Sequence, residues 1–161
     1  MTLDLSCEDD LSPLTISATD LCSAVGDIVY DVDDSRVDGS CPHSYVLTRT
    51  YSATDECGNT AYVTQTINVE DTTPPSITTT IPLTLDLSCE DDLSPLTISA
   101  TDLCSAVGDI VYDVDDSRVD GSCPHSYVLT RTYSATDECG NTAYVTQTIN
   151  VEDTIDLGFK L

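Results

Sequence analysis

An all-β fold, arranged as two tandem β-sandwich domains, is what the sequence predicts, and three observations carry that expectation. Apolar residues recur at every second position in segments rich in Val, Ile, Thr and Tyr, which is the period of a half-buried strand. Residues Thr2 to Thr72 reappear unchanged as Thr84 to Thr154, an offset of 82 residues, so the 161 residues read as an array of two copies. Each copy carries four cysteines, Cys7, Cys22, Cys41 and Cys57 and then Cys89, Cys104, Cys123 and Cys139. An even set in so small a repeat points to disulfides that supplement a modest core. The expected boundaries are 1–73 for the first repeat, 74–154 for a linker strand with the second repeat, and 155–161 for a strand-like tail.

Within one copy the strands follow from the alternation. LDLSC puts Leu3, Leu5 and Cys7 on one face, and LTISA does the same with Leu14, Ile16 and Ala18. DIVYDVD sets Ile28, Tyr30 and Val32 against outward Asp27, Asp31 and Asp33. SYVLTRTYSAT is the longest, with Tyr45, Leu47, Tyr51 and Ala53 inward and Thr48, Thr50 and Ser52 outward. AYVTQTINV closes the copy with Ala61, Val63, Ile67 and Val69 in register. One or two further strands are expected between Asp33 and Ser40. Short antiparallel strands without a helical pattern describe a two-sheet sandwich of immunoglobulin-like type. ECGNT, Glu56 to Thr60, supplies a hairpin turn in which Gly58 and Asn59 can take positive φ. Arg49 falls in the apolar register, which places it near a sheet edge and beside a carboxylate. After Asp71, TTPPSITTTIPL contains three prolines and no glycine, an extended and semi-rigid connection in which Ser76 to Ile81 can form a strand.

Strand length ranks the disulfide pairings. Cys41 and Cys57 flank eleven residues of strand, Ser44 to Thr54, so at ~3.3 Å per residue they stand more than ~30 Å apart. A disulfide requires Cα atoms within about 7 Å. Alternation of the chain between two poles then pairs Cys7 with Cys41 and Cys22 with Cys57, repeated as Cys89 with Cys123 and Cys104 with Cys139. The absence of CxxC and the presence of one histidine per copy, His43 and His125, argue against structural zinc or a thioredoxin-like centre.

Twenty-nine acidic residues against five Lys and Arg give a formal charge of −24, which repels the phosphates of nucleic acid and anionic membrane surfaces. No run of about 18 apolar residues spans a membrane. MTLDLSC has none of the basic and apolar features of a signal peptide, so the sequence reads as a mature or excised part of a longer extracellular chain. Ser40, His43 and Asp38 are the nearest approach to a catalytic triad, without a nucleophile elbow to present the serine. The expectation is a protein that is not an enzyme.

The segment YVLTRTYSATDECGNTAYVTQTINVEDTTPP resembles the signature of hyalin-repeat (HYR)-like, immunoglobulin-fold modules. The resemblance is to the four-cysteine kind found in surface and secreted proteins of Bacteroidetes and other environmental bacteria. It covers nearly all of each copy, and ATDECGN at Ala53 to Asn59 and VEDTTPP at Val69 to Pro75 are its strongest motifs. It implies an extracellular or cell-surface β-sandwich of adhesins, stalks and fibres with no catalytic residues to carry over. The second copy departs from that pattern by running VEDTIDLGFKL. Ile155, Leu157, Phe159 and Leu161 alternate there as a strand, which could add to the open edge of a neighbouring subunit and give a head-to-tail filament.

Three further expectations attach to the polar residues. Carboxylates suit calcium, and Asp31, Asp33 and Asp38 with Glu70 and Asp71 are the candidate ligands, although Arg36 stands where a calcium loop needs glycine. Calcium is an optional stiffener in this reading, and no cofactor is required. No N-x-S/T sequon occurs, but Asp71 to Thr73 and Asp153 to Ile155 resemble the Asp-Thr/Ser-aliphatic O-glycosylation motif of Bacteroidetes, with Thr72 and Thr154 as acceptors. The functional expectation is a structural spacer or fibre-forming module whose partners are itself or neighbouring repeats. The alternative is an adhesin-type binding module that recognises a glycan or a cell surface.

Overall fold

The structure, a computed structural model, describes residues 1–153 and is all-β. It divides into two compact units, Met1–Thr72 and a second that begins at Thr73. Unit 1 contains β1 (Thr2–Ser6), β2 (Val29–Asp38), β3 (Tyr45–Thr54) and β4 (Thr60–Glu70), in the sheet order β1-β4-β3-β2. Unit 2 adds β5 (Ser76–Ile77) and then repeats the set as β6 (Thr84–Ser88), β8 (Val111–Asp120), β9 (Tyr127–Thr136) and β10 (Thr142–Glu152), with a short β7 (Ala100–Thr101) after β6. Its sheets run β6-β10-β9-β8 and β5-β7.

The central hairpin is the best specified part. β3 and β4 pair antiparallel with Leu47 opposite Ile67, Arg49 opposite Gln65 and Tyr51 opposite Val63. Tyr45, Leu47, Arg49 and Tyr51 on this face of β3 need cover, and Leu47, Ile67 and Val69 form the buried cluster of unit 1 with Leu5, Leu11 and Tyr45 packed on it. Burial of such side chains stabilises by roughly 1.5–3 kcal/mol each. β1 joins the other side of β4 in parallel, Leu3 opposite Ile67 and Leu5 opposite Val69, which brings both leucines to the same inner face.

What covers that face differs from a regular second sheet. In unit 1 the stretch LTISA forms no strand. Instead residues 7–18 cross the inner face as an irregular strap, tied down by side chains. Arg49 Nη1 donates to the Leu11 carbonyl at 2.7 Å, the Leu14 N–H donates to the Tyr51 hydroxyl at 3.0 Å, and that hydroxyl donates to Gln65 Oε1 at 3.0 Å. Alternation put Leu14, Ile16 and Ala18 on one side, but a strand also needs a partner ladder, and Pro13 removes a donor. In unit 2 a short partner exists: β5 pairs with β7, Ile77 opposite Ala100, and of the corresponding LTISA only Ala100 enters a strand. The two-sheet sandwich is therefore realised as a four-stranded sheet with a thin second layer.

The poorly patterned stretch from Asp33 to Ser40 adds no strand of its own. It continues β2 to Asp38 along the full length of β3, and every residue of β2 is exposed. The turn that follows is closed by the Gly39 N–H donating to the Ser44 carbonyl at 2.7 Å. A Cβ on Gly39 would meet that oxygen at 2.7 Å, so only glycine fits.

Arg49 is not at a sheet edge. It lies on the central strand β3, its side chain only 5% exposed, and its Nε and Nη2 meet the two oxygens of Asp34 at 2.8 Å each. Register makes this possible, because Asp34 is directly opposite Arg49. Arg131 and Asp116 repeat the pair in unit 2 at 2.8 Å. The bidentate bond to the guanidinium holds the Asp34 and Asp116 carboxyls below their ordinary value of 3.8.

Removing the acceptor leaves a guanidinium in an apolar face without its partner. Asp34→Ala is expected to lower unfolding free energy by about 1.5–3 kcal/mol, read as a shift of the urea midpoint at pH 7. Arg49→Met should cost less, since it leaves Asp34 partly exposed and able to hydrate. A folded-state pKa lowered below 3.8 contributes stability above that value and loses it as pH falls further. Acid titration of stability should therefore drop less steeply below pH ~4 in the double variant Asp34→Ala/Asp116→Ala than in the wild type. Equal acid slopes would show that the ion pairs carry none of it.

Candidate functional site

The repeated phrases SATDLC and SATDEC converge at one pole of each unit, and their aspartates shape the turns. In unit 1 the Asp20 Oδ1 accepts the N–H groups of Cys22 at 2.7 Å and Ser23 at 2.9 Å. Asp55 Oδ1 accepts those of Cys57 at 2.9 Å and Asn59 at 2.8 Å, while Asn59 Nδ2 donates to its other oxygen at 2.7 Å. Such side-chain turns replace backbone ladder bonds where the chain reverses. The hydrogen bond from Asn59 is the largest cause that holds the Asp55 carboxyl below its ordinary value. Gly58 alone takes positive φ, +86°, and Asn59 does not. Both phrases line one groove of about 210 Å³, through Ala18, Thr19 and Asp20 on one side and Ala53 and Asp55 on the other.

Unit 2 builds the same pole with tighter packing. Asp102 caps Cys104 and Ser105 at 2.8 Å each, and Asp137 caps Cys139 at 2.9 Å and Asn141 at 2.8 Å. Asp137 and Ser105 are buried, and the carboxylate oxygens of Asp102 and Asp137 lie within 4.8 Å of one another. The aspartates of the repeated phrase are thus turn formers, a role signalled by the Asp-x-Cys spacing that both phrases share.

The cysteines divide unequally between the copies. Cys7 and Cys41 in unit 1, and Cys104 and Cys139 in unit 2, are disulfide-bonded. Cys22, Cys57, Cys89 and Cys123 are exposed free thiols. Four of the eight cysteines expected to be bonded are bonded in this structure, and the two copies differ in which two they are. In unit 2 the β5–β7 ladder anchors the chain just before Cys104, whereas residues 18–19 of unit 1 belong to no strand and the following turn is exposed. At the opposite pole the Cys89 N–H bonds the Glu152 carbonyl at 3.3 Å and keeps Cys89 in line with β6.

The proposed calcium ligands are not assembled as a loop. Asp31, Asp33 and Asp38 lie on the extended strand β2, all exposed. Asp38 is engaged by Arg36 Nε at 2.6 Å. Among the described residues Asp31, Asp33, Asp38 and Glu70 join no group of three metal-ligating atoms within 4.8 Å. Asp71 is buried and Thr72, beside it, is exposed. Thr154, Ile155, Leu157, Phe159 and Leu161 lie outside the described residues.

No family model matches the chain, and no curated protein matches it. Solved cadherin ectodomain structures align with it at low identity. Drosophila N-cadherin EC1-4 matches at 15% identity over 94% of this chain and 47% of that one, with a TM-score of 0.38. Human protocadherin-24 EC1-2 matches at 11% identity over 96% and 95% of the two chains, with a TM-score of 0.35. Human mucin-like protocadherin EC1-2 matches at 11% over 95% and 96%, with a TM-score of 0.33. The chain spans about half the length of the N-cadherin fragment. No helix among the described residues is long and apolar enough to cross a membrane.

Proposed function

We propose that the protein is a structural, extracellular repeat module, a spacer or fibre-forming unit that partners with copies of itself, and not an enzyme. One observation carries this reading: 71 residues are duplicated without change, and both copies use them for the same four-stranded sheet in the same register. Unchanged duplication suits a role in which the number and length of units matter. Among the described residues, the carboxylates of Asp20 and Asp55 are used in turns and those of Asp34 and Asp38 in ion pairs. Electron microscopy of the native material is expected to show filaments that persist in EDTA, because the reading needs no calcium. Filaments dissolved by EDTA would restore the ion, and a polysaccharide captured at micromolar affinity without filaments would favour the binding module.

The oxidised form in this reading closes all four pairs, Cys7 with Cys41, Cys22 with Cys57, Cys89 with Cys123 and Cys104 with Cys139. The copies are identical in sequence, so the geometry that bonds a cysteine in one copy is open to its counterpart in the other. Each bridge closes about 35 residues and contributes roughly 3–4 kcal/mol by loop entropy. Mass mapping of the non-reduced native protein should return these four links and no free thiol, and a Cys7–Cys57 link would refute the assignment. The same spectra read Thr72, whose exposed hydroxyl is the proposed O-glycan acceptor, as unmodified or extended by hexoses.

A further inference from the structure

Because the copies share their sequence, a difference in burial between counterparts reports what lies over them. In unit 2, Ile77 and Ile81 come from the stretch that precedes β6. Ile81 is buried with Ile98 and Tyr133, and Ile77 packs against that cluster and against Ala100, Ile110 and Ala135. The backbone of this stretch is held as well: the Thr78 N–H donates to the Ser99 carbonyl at 2.8 Å, and Thr79 Oγ1 accepts the Ser99 N–H at 2.8 Å. Unit 1 has the same surface without that cover. Its Ile16, Ala18, Tyr51, Ala53, Ala61 and Val63 line an open groove of about 260 Å³. Val63 is 58% exposed where Val145 is half-buried, and Ala53 is half-buried where Ala135 is 0% exposed. Among the described residues, Ser17 and Thr19 make no backbone hydrogen bond, although their counterparts Ser99 and Thr101 are both paired.

We propose that this groove is the acceptor for residues 154–161 of a second copy of the chain, which rests on the self-association reading above and gives it a site and a register. Unit 2 displays what the groove takes, an extended segment that leaves the closing Asp of a copy and turns alternate residues inward. Counted from Asp71, the inward residues of that segment are Pro75, which is buried, and Ile77, four and six positions on. Counted from Asp153, the same positions hold Leu157 and Phe159, with Leu161 two further on. Phe159 thus takes the place of Ile77, over Ala18 and Ala53, and the tail supplies the missing ladder to residues 17–19. Main-chain pairing provides affinity and the apolar residues provide register, as in strand addition generally. Donor and acceptor are different parts of the chain, so each copy can give one tail and take one, which produces an open chain of subunits.

The test is sedimentation velocity on the oxidised 161-residue chain across a range of concentration. The wild type is expected to form species that grow with concentration. The tail variant Leu157→Asp/Phe159→Asp and the groove variant Ala61→Glu/Val63→Glu are each expected to remain monomeric. The latter alters exposed residues, and unchanged circular dichroism confirms that it folds. An equimolar mixture supplies one intact tail and one intact groove, and should give a heterodimer and nothing larger. Growth that survives in the tail variant overturns this site while leaving self-association standing. A wild type that stays monomeric, with no heterodimer from the mixture, overturns the exchange between copies and indicates a tail folded on its own chain or a groove with another occupant.

Discussion

A guanidinium placed inside an apolar face must be answered on every side, and the layout of each unit follows from how Arg49 and Arg131 are answered. The edge strand must run far enough to set Asp34 opposite Arg49. The strap must pass close enough for the Leu11 carbonyl to accept the remaining nitrogen. Tyr51 and Gln65, one step along the hairpin, complete a polar line beneath the strap. A slip of one residue would turn Arg49 to solvent and Thr48 or Thr50 into the core, so the ion pair specifies register more than it adds free energy. The leucines and valines supply the driving force, and the arginine decides which arrangement they stabilise.

Two copies of one sequence in one chain act as an internal comparison. The large sheet is the same in both, which assigns its stability to residues within the repeat. The second layer is not the same: it is a strap in one unit and a short ladder in the other, according to whether a segment outside the repeat pairs with it. The cysteine pattern belongs with this contrast at the pole beside that ladder. There, the unit with the ladder has its cysteines bonded and the unit without it has them apart.

The large sheet was legible because period-2 alternation and a hairpin turn are local signals. Tyr45, Leu47, Tyr51 and Ala53 were placed on the inner face by pattern alone, as were Ile67 and Val69. The strands that failed depended on something alternation does not encode. LTISA has the pattern but lacks a partner in unit 1, and Asp33 to Asp38 lacks the pattern but gains a strand by pairing along β3. Arg49 was assigned to an edge because a charge in an apolar register suggests one, yet the carboxylate opposite it makes a central position tolerable. Asp31 and Asp33 were read with the spacing of a calcium loop, and the structure sets them on an extended, exposed strand. At the pole, the turn-forming work of Asp20 and Asp55 was hidden by their neighbours, since a cysteine beside an acid suggests chemistry first.

The long, fully exposed strand β2 has a consequence for how two copies can meet edge to edge. One side of it is paired to β3 and, among the described residues, the other pairs with no strand, the usual template for cross-β aggregation. Asp31 and Asp33 project from it into solvent, with Asp34 and Asp38 on its other face. Two such edges would have to approach to ~4.8 Å to pair, well inside the ~10 Å over which charges still repel at moderate salt. The aspartates therefore act as gatekeepers that make edge-to-edge pairing a function of ionic strength.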